Sequence, residues 1–383
     1  MVATSIFDNG PEIEFPSEIM CSQFHPTIPN LFLAGAISGH LHWIKINDDE
    51  TEQSMTNERS MKVHKKSVRS IELTPDGQSI ITVSKDKSIK LRSIETGKMI
   101  TKYTRAHDSP INCLCIVDNC VLATGDDDGC VKLWDYRQKK SLAEFHDCDD
   151  YISDLTCAND RRTLLTTSGE GTLTVYNVRK KKLQIQSELM DSDLTGCQII
   201  KDGTKVVCST MEGVLYFFNW KEFGNMSDRF PGHPGGIECL VTLDQSSIVT
   251  GCEDGKIRAL SLYPHRIISV TGRTCTMPTQ TLSTSCNTDY LIGSSTSPET
   301  LQLIDSKELK IILNKKKKKS GKREDNAFFA DLEGNQQEEL DDQQQDSNDD
   351  DDDDDDDSDS DDDSDSDEDT KKPPKKKKKR AHF

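Results

Sequence analysis

One short pattern recurs along the chain at a nearly fixed interval, and it constrains the fold more than any other feature. The pattern is an acidic residue, a glycine and a run in which apolar residues alternate with others, as in EDGKIRALS. Its glycines are Gly129, Gly171, Gly213 and Gly255, so each interval is 42 residues. Equal intervals on so similar a pattern indicate an internal structural repeat.

Weaker copies extend the repeat to seven units. Lys87 takes the glycine position in KDKSIKLRS, Gly39 belongs to SGHLHWIKI, and a last copy, SPETLQLID, contains Glu299. We interpret the longer first interval as a polar insertion from Asn47 to Ser60. Because apolar residues alternate within each unit and turn residues separate the runs, each unit predicts several short strands. The chain is therefore predicted to be an all-β, seven-bladed β-propeller.

The predicted propeller covers residues 1–313, and residues 314–383 are predicted to form a disordered, charged C-terminal tail. The tail is almost entirely Lys, Asp, Glu, Gln and Ser, so it cannot bury enough apolar surface to offset the entropy of ordering. The predicted blade units lie near residues 12–46, 62–100, 105–142, 146–183, 188–224, 232–268 and 270–313.

The third unit carries a family resemblance. Leu133-Trp134-Asp135, preceded by a histidine, resembles a WD repeat. The resemblance implies a buried hydrogen-bond network of His and Asp in each blade and a closed ring, in which Glu12–Phe15 supplies the outermost strand of the last blade. The expected network residues are His64, Asp86, His107, Asp128, Trp134, His233 and Asp254.

Longer sequence segments, including loops, indicate which family of WD-repeat proteins the chain resembles. Loop sequence is the informative part, because all WD proteins share the motifs of the blade core. The chain resembles the WD repeat-containing protein 55 family, which implies a nucleolar protein that supports ribosomal RNA production and assembly of the large ribosomal subunit. The resemblance rests on residues 81–87, 106–112, 121–127, 216–230, 254–260 and 328–332.

The acidity of the chain belongs to its C-terminal end. The net charge is −19, and residues 346–369 alone hold 18 acidic residues, so the rest of the chain carries about −1. Five serines there have an acid at the third following position and are expected to be phosphorylated by acidophilic kinases. They are Ser347, Ser358, Ser360, Ser364 and Ser366.

A basic run follows the acidic one. After Lys371-Lys372-Pro373-Pro374 it resembles a nuclear import signal formed by Lys375, Lys376, Lys377, Lys378, Lys379 and Arg380. Such runs contact phosphates without reading sequence, and aromatic residues for base stacking are missing. Only weak RNA contact is expected from the tail.

No arrangement of catalytic residues is found in the sequence, and neither a cofactor nor a metal is expected. The 13 cysteines show no C-x-x-C pair and are interpreted as small buried hydrophobic residues. No stretch is apolar enough for a membrane span. We therefore expect a monomeric, non-enzymatic scaffold in the nucleus and nucleolus, whose partners are ribosome assembly factors or basic ribosomal proteins.

One short motif supports an alternative. Trp134, Asp135 and Arg137 fit the W-D-x-R box by which some WD proteins dock on a cullin-RING ubiquitin ligase as substrate receptors. An exposed arginine beyond the strand end could form a bidentate ion pair with a partner. The other interpretation of Arg137 is that it is an ordinary surface residue of the blade.

Overall fold

A computed structural model describes residues 10–48, 53–138, 140–271, 277–295 and 299–306. The chain divides into two units, Met1–Lys322 and Arg323–Phe383, and every described residue belongs to the first. The predicted tail, its phosphorylation sites and its import signal lie outside the described residues.

Short strands follow one another with few residues between them, as the period of two predicts. In chain order they are β1 (Glu12–Glu14), β2 (Ile19–Phe24), β3 (Leu31–Ala36), β4 (His40–Asp48), β5 (Gln53–Lys62), β6 (Val68–Leu73), β7 (Ser79–Ser84), β8 (Ile89–Ser93), β9 (Met99–Tyr103), β10 (Ile111–Asp118), β11 (Val121–Asp126), β12 (Val131–Asp135), β13 (Ser141–Phe145), β14 (Ile152–Cys157), β15 (Thr163–Ser168), β16 (Leu173–Asn177), β17 (Lys182–Gln186), β18 (Leu194–Ile200), β19 (Lys205–Thr210), β20 (Val214–Asn219), β21 (Asp228–Pro231), β22 (Ile237–Asp244), β23 (Ser247–Cys252), β24 (Ile257–Ser261), β25 (Arg266–Thr271), β26 (Thr279–Thr284), β27 (Tyr290–Ser295) and β28 (Thr300–Asp305).

These strands form seven four-stranded antiparallel sheets, which confirms the seven-bladed propeller. Blades 1 to 6 each take four consecutive strands, beginning with β2. The seventh sheet has the order β1-β28-β27-β26, and β1 pairs Ile13 with Leu301. The first strand of the chain therefore closes the ring on the outside of the last blade, as expected. Closure leaves no unpaired edge between the first and the last blade.

Residues 53–60 of the polar segment after the first blade motif belong to a strand, and the longer first interval coincides with the long strands β4 and β5. β5 pairs with β4 from His40–Lys62 to Asp48–Gln53, with one bulge. Its side chains are mostly exposed, because it is the outermost strand of blade 1 and has no neighbour on its outer edge. A strand exposed in this way needs no apolar residues, which is why its composition resembled that of a loop. Four other predicted units end inside their fourth strands, at residues 100, 142, 183 and 268 in β9, β13, β17 and β25.

Packing occurs between blades. Seven clusters of buried apolar residues are found in the described part of the chain, and each joins two consecutive blades. Phe32 and Leu301, for example, belong to the cluster that joins blades 1 and 7. Each blade thus buries its apolar surface against its neighbours, so the ring is stabilised as a whole. No helix within the described ranges is long and apolar enough to cross a membrane.

Candidate functional site

Blade 3 contains the most complete polar network. His107 Nδ1 lies 2.7 Å from Asp126 Oδ2, and His107 Nε2 lies 2.7 Å from Thr124 Oγ1, which also accepts a hydrogen bond of 2.9 Å from Trp134 Nε1. All four residues are buried. Burial alone would raise the pKa of Asp126, but hydrogen bonds from His107 and from the Cys130 N–H hold it below its usual value.

The network acid of blade 3 is Asp126, and the expectation of Asp128 is wrong. In blade 2 the strand ends at Ser84, whose hydroxyl accepts from the Asp86 N–H at 3.0 Å, so that the acid of the turn meets the histidine. In blade 3 the strand ends at Asp126, whose carboxylate accepts from the Asp128 N–H at 3.1 Å and also reaches His107. Asp128 remains exposed.

In blade 2 the structure brings His64 and Asp86 together, with Nδ1 3.1 Å from Oδ2, while His64 Nε2 lies 2.9 Å from Thr82 Oγ1. Burial would raise the pKa of Asp86, but hydrogen bonds from His64 and Ser88 lower it strongly. Arg92 occupies the position of the blade 3 tryptophan. Its buried Nε has no hydrogen-bond partner among the described residues.

Blade 6 separates the two residues that were expected to pair. His233 Nε2 lies 2.9 Å from Thr250 Oγ1, but its buried Nδ1 has no partner within the described structure. Asp254 instead accepts two hydrogen bonds from Arg258, at 2.9 and 2.6 Å. The carboxylate of Asp254 is thus held by Arg258 and by the Lys256 N–H, and it forms no hydrogen bond with His233 in the described structure. The pKa of His233 is lowered to about 4, mainly because the imidazole is buried and in addition because Arg258 carries a positive charge nearby.

Three threonines complete these networks and were missed in the sequence. Thr82, Thr124 and Thr250 each contact the histidine of their blade through Oγ1. They are separated by 42 residues or a multiple of 42, so the repeat interval itself could have identified them. A threonine hydroxyl both donates and accepts, which lets it join the histidine to the next strand.

Hydrogen bonds also join the inner strands of consecutive blades. A bulge interrupts the start of each inner strand, and in four blades a side chain at this bulge donates to the next blade; in three of the four it is a cysteine. The bonds run from Cys21 to Val68 O (3.7 Å), Cys113 to Ile152 O (3.7 Å), Cys239 to Thr279 O (3.3 Å) and Thr195 Oγ1 to Ile237 O (2.6 Å). The described cysteines are all free thiols. These three therefore serve as weak interblade donors as well as apolar packing groups.

Glu72 and Asp154 are two of the acids on the inner strands. Asp154 on β14 accepts a hydrogen bond of 3.0 Å from the Cys197 N–H of the next blade. Burial, assisted by the charge of Asp154, raises the pKa of Glu72 on β6 to about 8. Burial likewise raises the pKa of Asp154. At neutral pH Glu72 is thus largely protonated.

A cavity of about 400 Å³ lies where inner strands end. Backbone and side chains from blades 1, 2, 5, 6 and 7 line it, and its walls mix apolar and polar groups. The lining residues include Phe24, His25, Leu73, Ile199, Thr242 and Thr284. No charged cluster converges on this cavity in the described residues.

The two faces of the propeller differ in charge. The turn face carries, in each blade, the turn between the first and second strands and the turn between the third and fourth. A backbone hydrogen bond holds the two turns together, as from the Val178 N–H to Arg162 O at 2.8 Å in blade 4. The opposite, loop face carries the second-to-third turns and the loops between blades.

Basic residues dominate the turn face of blades 3 and 4. Seven exposed cations, defined here as the basic patch, lie on these turns: Lys140, Arg161, Arg162, Arg179, Lys180, Lys181 and Lys182. The loop face of blades 4 and 5 is acidic, and residues 146–151, 168–171, 187–193 and 210–213 contain no Lys or Arg. The acids of those loops are Asp147, Asp149, Asp150, Glu170, Glu188, Asp191, Asp193 and Glu212.

Comparison with known proteins identifies the family. A family model described as WDR55 matches residues 10–309, a range that includes all seven blades. The chain belongs to the WD repeat-containing protein 55 family. It is 33% identical to WD repeat-containing protein 55 of Rattus norvegicus over 312 residues, which are 81% of this chain and 80% of that protein. The protein of the same name from Arabidopsis thaliana is 36% identical over 299 residues, covering 78% of this chain and 83% of the relative. The protein from Homo sapiens is 33% identical over 311 residues, with 81% and 80% covered.

In this family member the W-D-x-R box is engaged within its own blade. Trp134 and Asp135 are buried, and Arg137 is exposed over 65% of its side chain. Arg137 Nε and Nη2 donate to the two oxygens of Asp135 at 2.9 and 2.7 Å. This hydrogen bond from Arg137 lowers the pKa of Asp135 to about 2. The bidentate geometry expected toward a partner is thus already formed inside the turn.

His107, Asp126 and Cys130 are close enough to suggest a metal site, since their ligand atoms lie within 4.8 Å of one another. The His107 and Asp126 atoms, however, are already hydrogen-bonded to each other. Burial raises the pKa of the Cys130 thiol to about 12, which disfavours the thiolate that a metal requires. The group is therefore best described as part of the blade network.

Proposed function

We propose that the chain is a non-enzymatic scaffold of ribosome biogenesis in the nucleus and nucleolus, supporting ribosomal RNA production and large-subunit assembly. Family membership, together with what the family resemblance implies, supports the proposal. The observation that carries it is the use of polar residues. The histidines of blades 2, 3 and 6 are built into the blade interior, whereas the exposed loops present charged surfaces.

The absence of catalysis is supported by the same contacts. A general base must face a substrate, but His64 and His107 are buried, with both ring nitrogens hydrogen-bonded to side chains of their own blades. The described thiols of the inner strands have raised pKa values, as burial raises that of Cys113, so they are poor nucleophiles. Binding through surfaces remains the best-supported activity.

The proposed partners are assembly factors or basic ribosomal proteins, with a monomeric propeller as the scaffold. The acidic loops of blades 4 and 5 support a basic partner, because complementary charge directs encounter and orientation. We also propose that Lys375–Arg380 direct nuclear import and that the serines of the acidic run are phosphorylated. A role as a substrate receptor of a cullin-RING ubiquitin ligase is not favoured, since Arg137 already pairs with Asp135.

Affinity purification of the tagged full chain tests the proposal. At low salt we expect pre-ribosomal proteins, and at high salt the contacts that depend on charge should be lost first. Recovery of a cullin adaptor without pre-ribosomal proteins would contradict the scaffold and support the ligase receptor. An Arg137→Ala variant serves as the matched control for that second outcome, because it removes the exposed residue of the W-D-x-R box and leaves the buried Trp134 and Asp135 in place.

A further inference from the structure

We infer that the basic patch binds the phosphodiester backbone of double-stranded RNA segments. The inference rests on the proposed function and adds a partner that the folded propeller, rather than the tail, would contact. It assigns RNA to one face of blades 3 and 4 and protein partners to other surfaces.

The basic patch is continuous. Arg161 and Arg162 belong to the first turn of blade 4, and the bond between the Val178 N–H and Arg162 O places them beside Arg179, which begins the second turn. Lys181 Nζ donates to Leu142 O of blade 3 at 3.0 Å, which extends the patch across the blade boundary. The cations are thus held on three adjacent turns of a rigid scaffold.

Few acids neutralise the patch. Asp118 forms an ion pair of 2.7 Å with Arg161. Asp160 accepts hydrogen bonds from the Arg162 N–H and from Thr163, so it is used within its own turn. Within the described ranges no carboxylate lies within 4.0 Å of the charged groups of the other six members. The patch therefore carries a large excess of positive charge that is available to a ligand.

The chemistry of the surroundings favours a phosphate backbone. Leu183, exposed over 42%, is the large apolar side chain beside the patch. A protein partner usually requires a larger apolar centre, whereas nucleic-acid interfaces are more polar and far more positive. Tyr176 in the same blade is buried and Tyr136 on the blade 3 turn is only partly exposed, so no fully exposed ring is found on the described residues of these turns for base stacking. Binding to backbone phosphates, without sequence readout, is what such a surface supports.

The charge of the opposite face fixes the orientation. On the loop face of blade 4 the acids include Asp149, Asp150 and Glu170, with Glu170 Oε2 accepting from the Asp149 N–H at 2.8 Å. This face repels phosphates, while the turn face attracts them. A polyanion would therefore meet the propeller on the turn face of blades 3 and 4, although the net charge of the whole chain is negative.

Fluorescence anisotropy with the full chain and an RNA duplex of about 20 base pairs tests the inference through its salt dependence. The patch variant replaces Arg162, Arg179, Lys180 and Lys182 with Gln. The control variant replaces four other exposed residues with Gln and so removes the same charge: Lys62, Lys65, Lys66 and Lys85. None of these four residues belongs to the basic patch.

We expect the patch variant to bind the duplex at least about tenfold more weakly in about 0.1 M salt, and the slope of log K against log salt to flatten by about 3 to 4. The control variant should bind like the wild type. Equal weakening of both variants would reduce the effect to net charge and overturn the inference. Unchanged binding by the patch variant would do the same.

Two further binding experiments test whether the tail binds the RNA instead, or whether the basic patch binds an acidic protein. A third variant with Lys375–Arg380 replaced by Gln should keep most of the affinity, and loss of binding in that variant alone would move RNA contact to the tail. A poly-glutamate peptide should bind weakly. If it binds the wild type but not the patch variant while the duplex binds neither, the patch recognises an acidic protein and the inference is wrong. None of these binding outcomes bears on the loss of ribosomal RNA expected when the protein is depleted from cells. That experiment tests the proposed function separately.

Discussion

Replacing Asp126 and Asp128 separately with Ala gives two variants of identical composition whose stabilities should differ widely. Asp126→Ala removes the buried acceptor of His107 and of the Cys130 and Asp128 N–H groups. Removing one member of a buried pair costs about 3 to 5 kcal/mol, because the other member is left unsatisfied. Asp128 is exposed, so Asp128→Ala should cost at most about 0.5 kcal/mol.

Urea unfolding at neutral pH, followed by far-ultraviolet circular dichroism, measures this difference. With an m-value of about 3 kcal/mol/M, Asp126→Ala should lower the unfolding midpoint by at least about 1 M, and Asp128→Ala should leave it nearly unchanged. Joining Asp126→Ala with His107→Phe should cost less than the sum of the two single changes. Equal midpoints for the two alanine variants would refute the assignment of Asp126 to the network.

Three other changes test other parts of the molecule. Glu72→Gln should stabilise the propeller relative to wild type as pH rises from about 5 to 8, by up to about 4 kcal/mol at pH 8. The reason is that the raised pKa of Glu72 in the folded state gives the wild type stability that is present at low pH and lost as the acid ionises. A constant difference between the two unfolding midpoints across that range would contradict this. Deleting residues 1–15 removes β1 and should lower the thermal midpoint by several degrees or more, since the last blade loses its outer strand; an unchanged midpoint would show that β1 does not close the ring. Replacing Lys375–Lys379 with Ala should leave a tagged protein largely cytoplasmic by microscopy. Full nuclear accumulation would assign import to a partner or to the other basic run of the tail, Lys315–Arg323.

The repeat was visible in the sequence because its constraint is local. Strands such as β12 and β24 are buried on both faces, and their turns need residues such as Gly129 and Gly255 with positive φ. β5 was missed for the opposite reason, since an outermost strand obeys no strict apolar pattern. Strand positions therefore followed from sequence where burial was complete, and the strand that was missed is a mostly exposed one.

The polar networks were predictable only in part. Spacing selected His64 and Asp86 correctly as neighbours, but it could not distinguish Asp126 from Asp128, because both lie within reach of the same turn. That choice depends on which carboxylate the strand end directs inward. In blade 6 Asp254 pairs with Arg258 and not with His233, which is a difference in geometry that spacing does not encode.

The net charge did not reveal that basic and acidic residues lie on opposite faces of the propeller. Residues 1–313 hold 33 basic and 41 acidic residues, and this net charge of −8 gives no sign that blade 4 is basic on one face and acidic on the other. The separation arises because first-to-second and third-to-fourth turns meet on one face, which brings Arg162 next to Arg179 although 17 positions separate them in sequence. Only the topology shows that these residues form one surface.

Pulse labelling of ribosomal RNA after depletion of the protein is the most direct test of the proposed scaffold. We expect mature large-subunit RNA to fall, and both wild type and Arg137→Ala to restore it, because an exposed arginine paired within its own turn contributes little to folding. Unchanged labelling of large-subunit RNA after depletion would contradict a role in ribosome biogenesis, and failure of Arg137→Ala alone to restore it would return the W-D-x-R box to consideration.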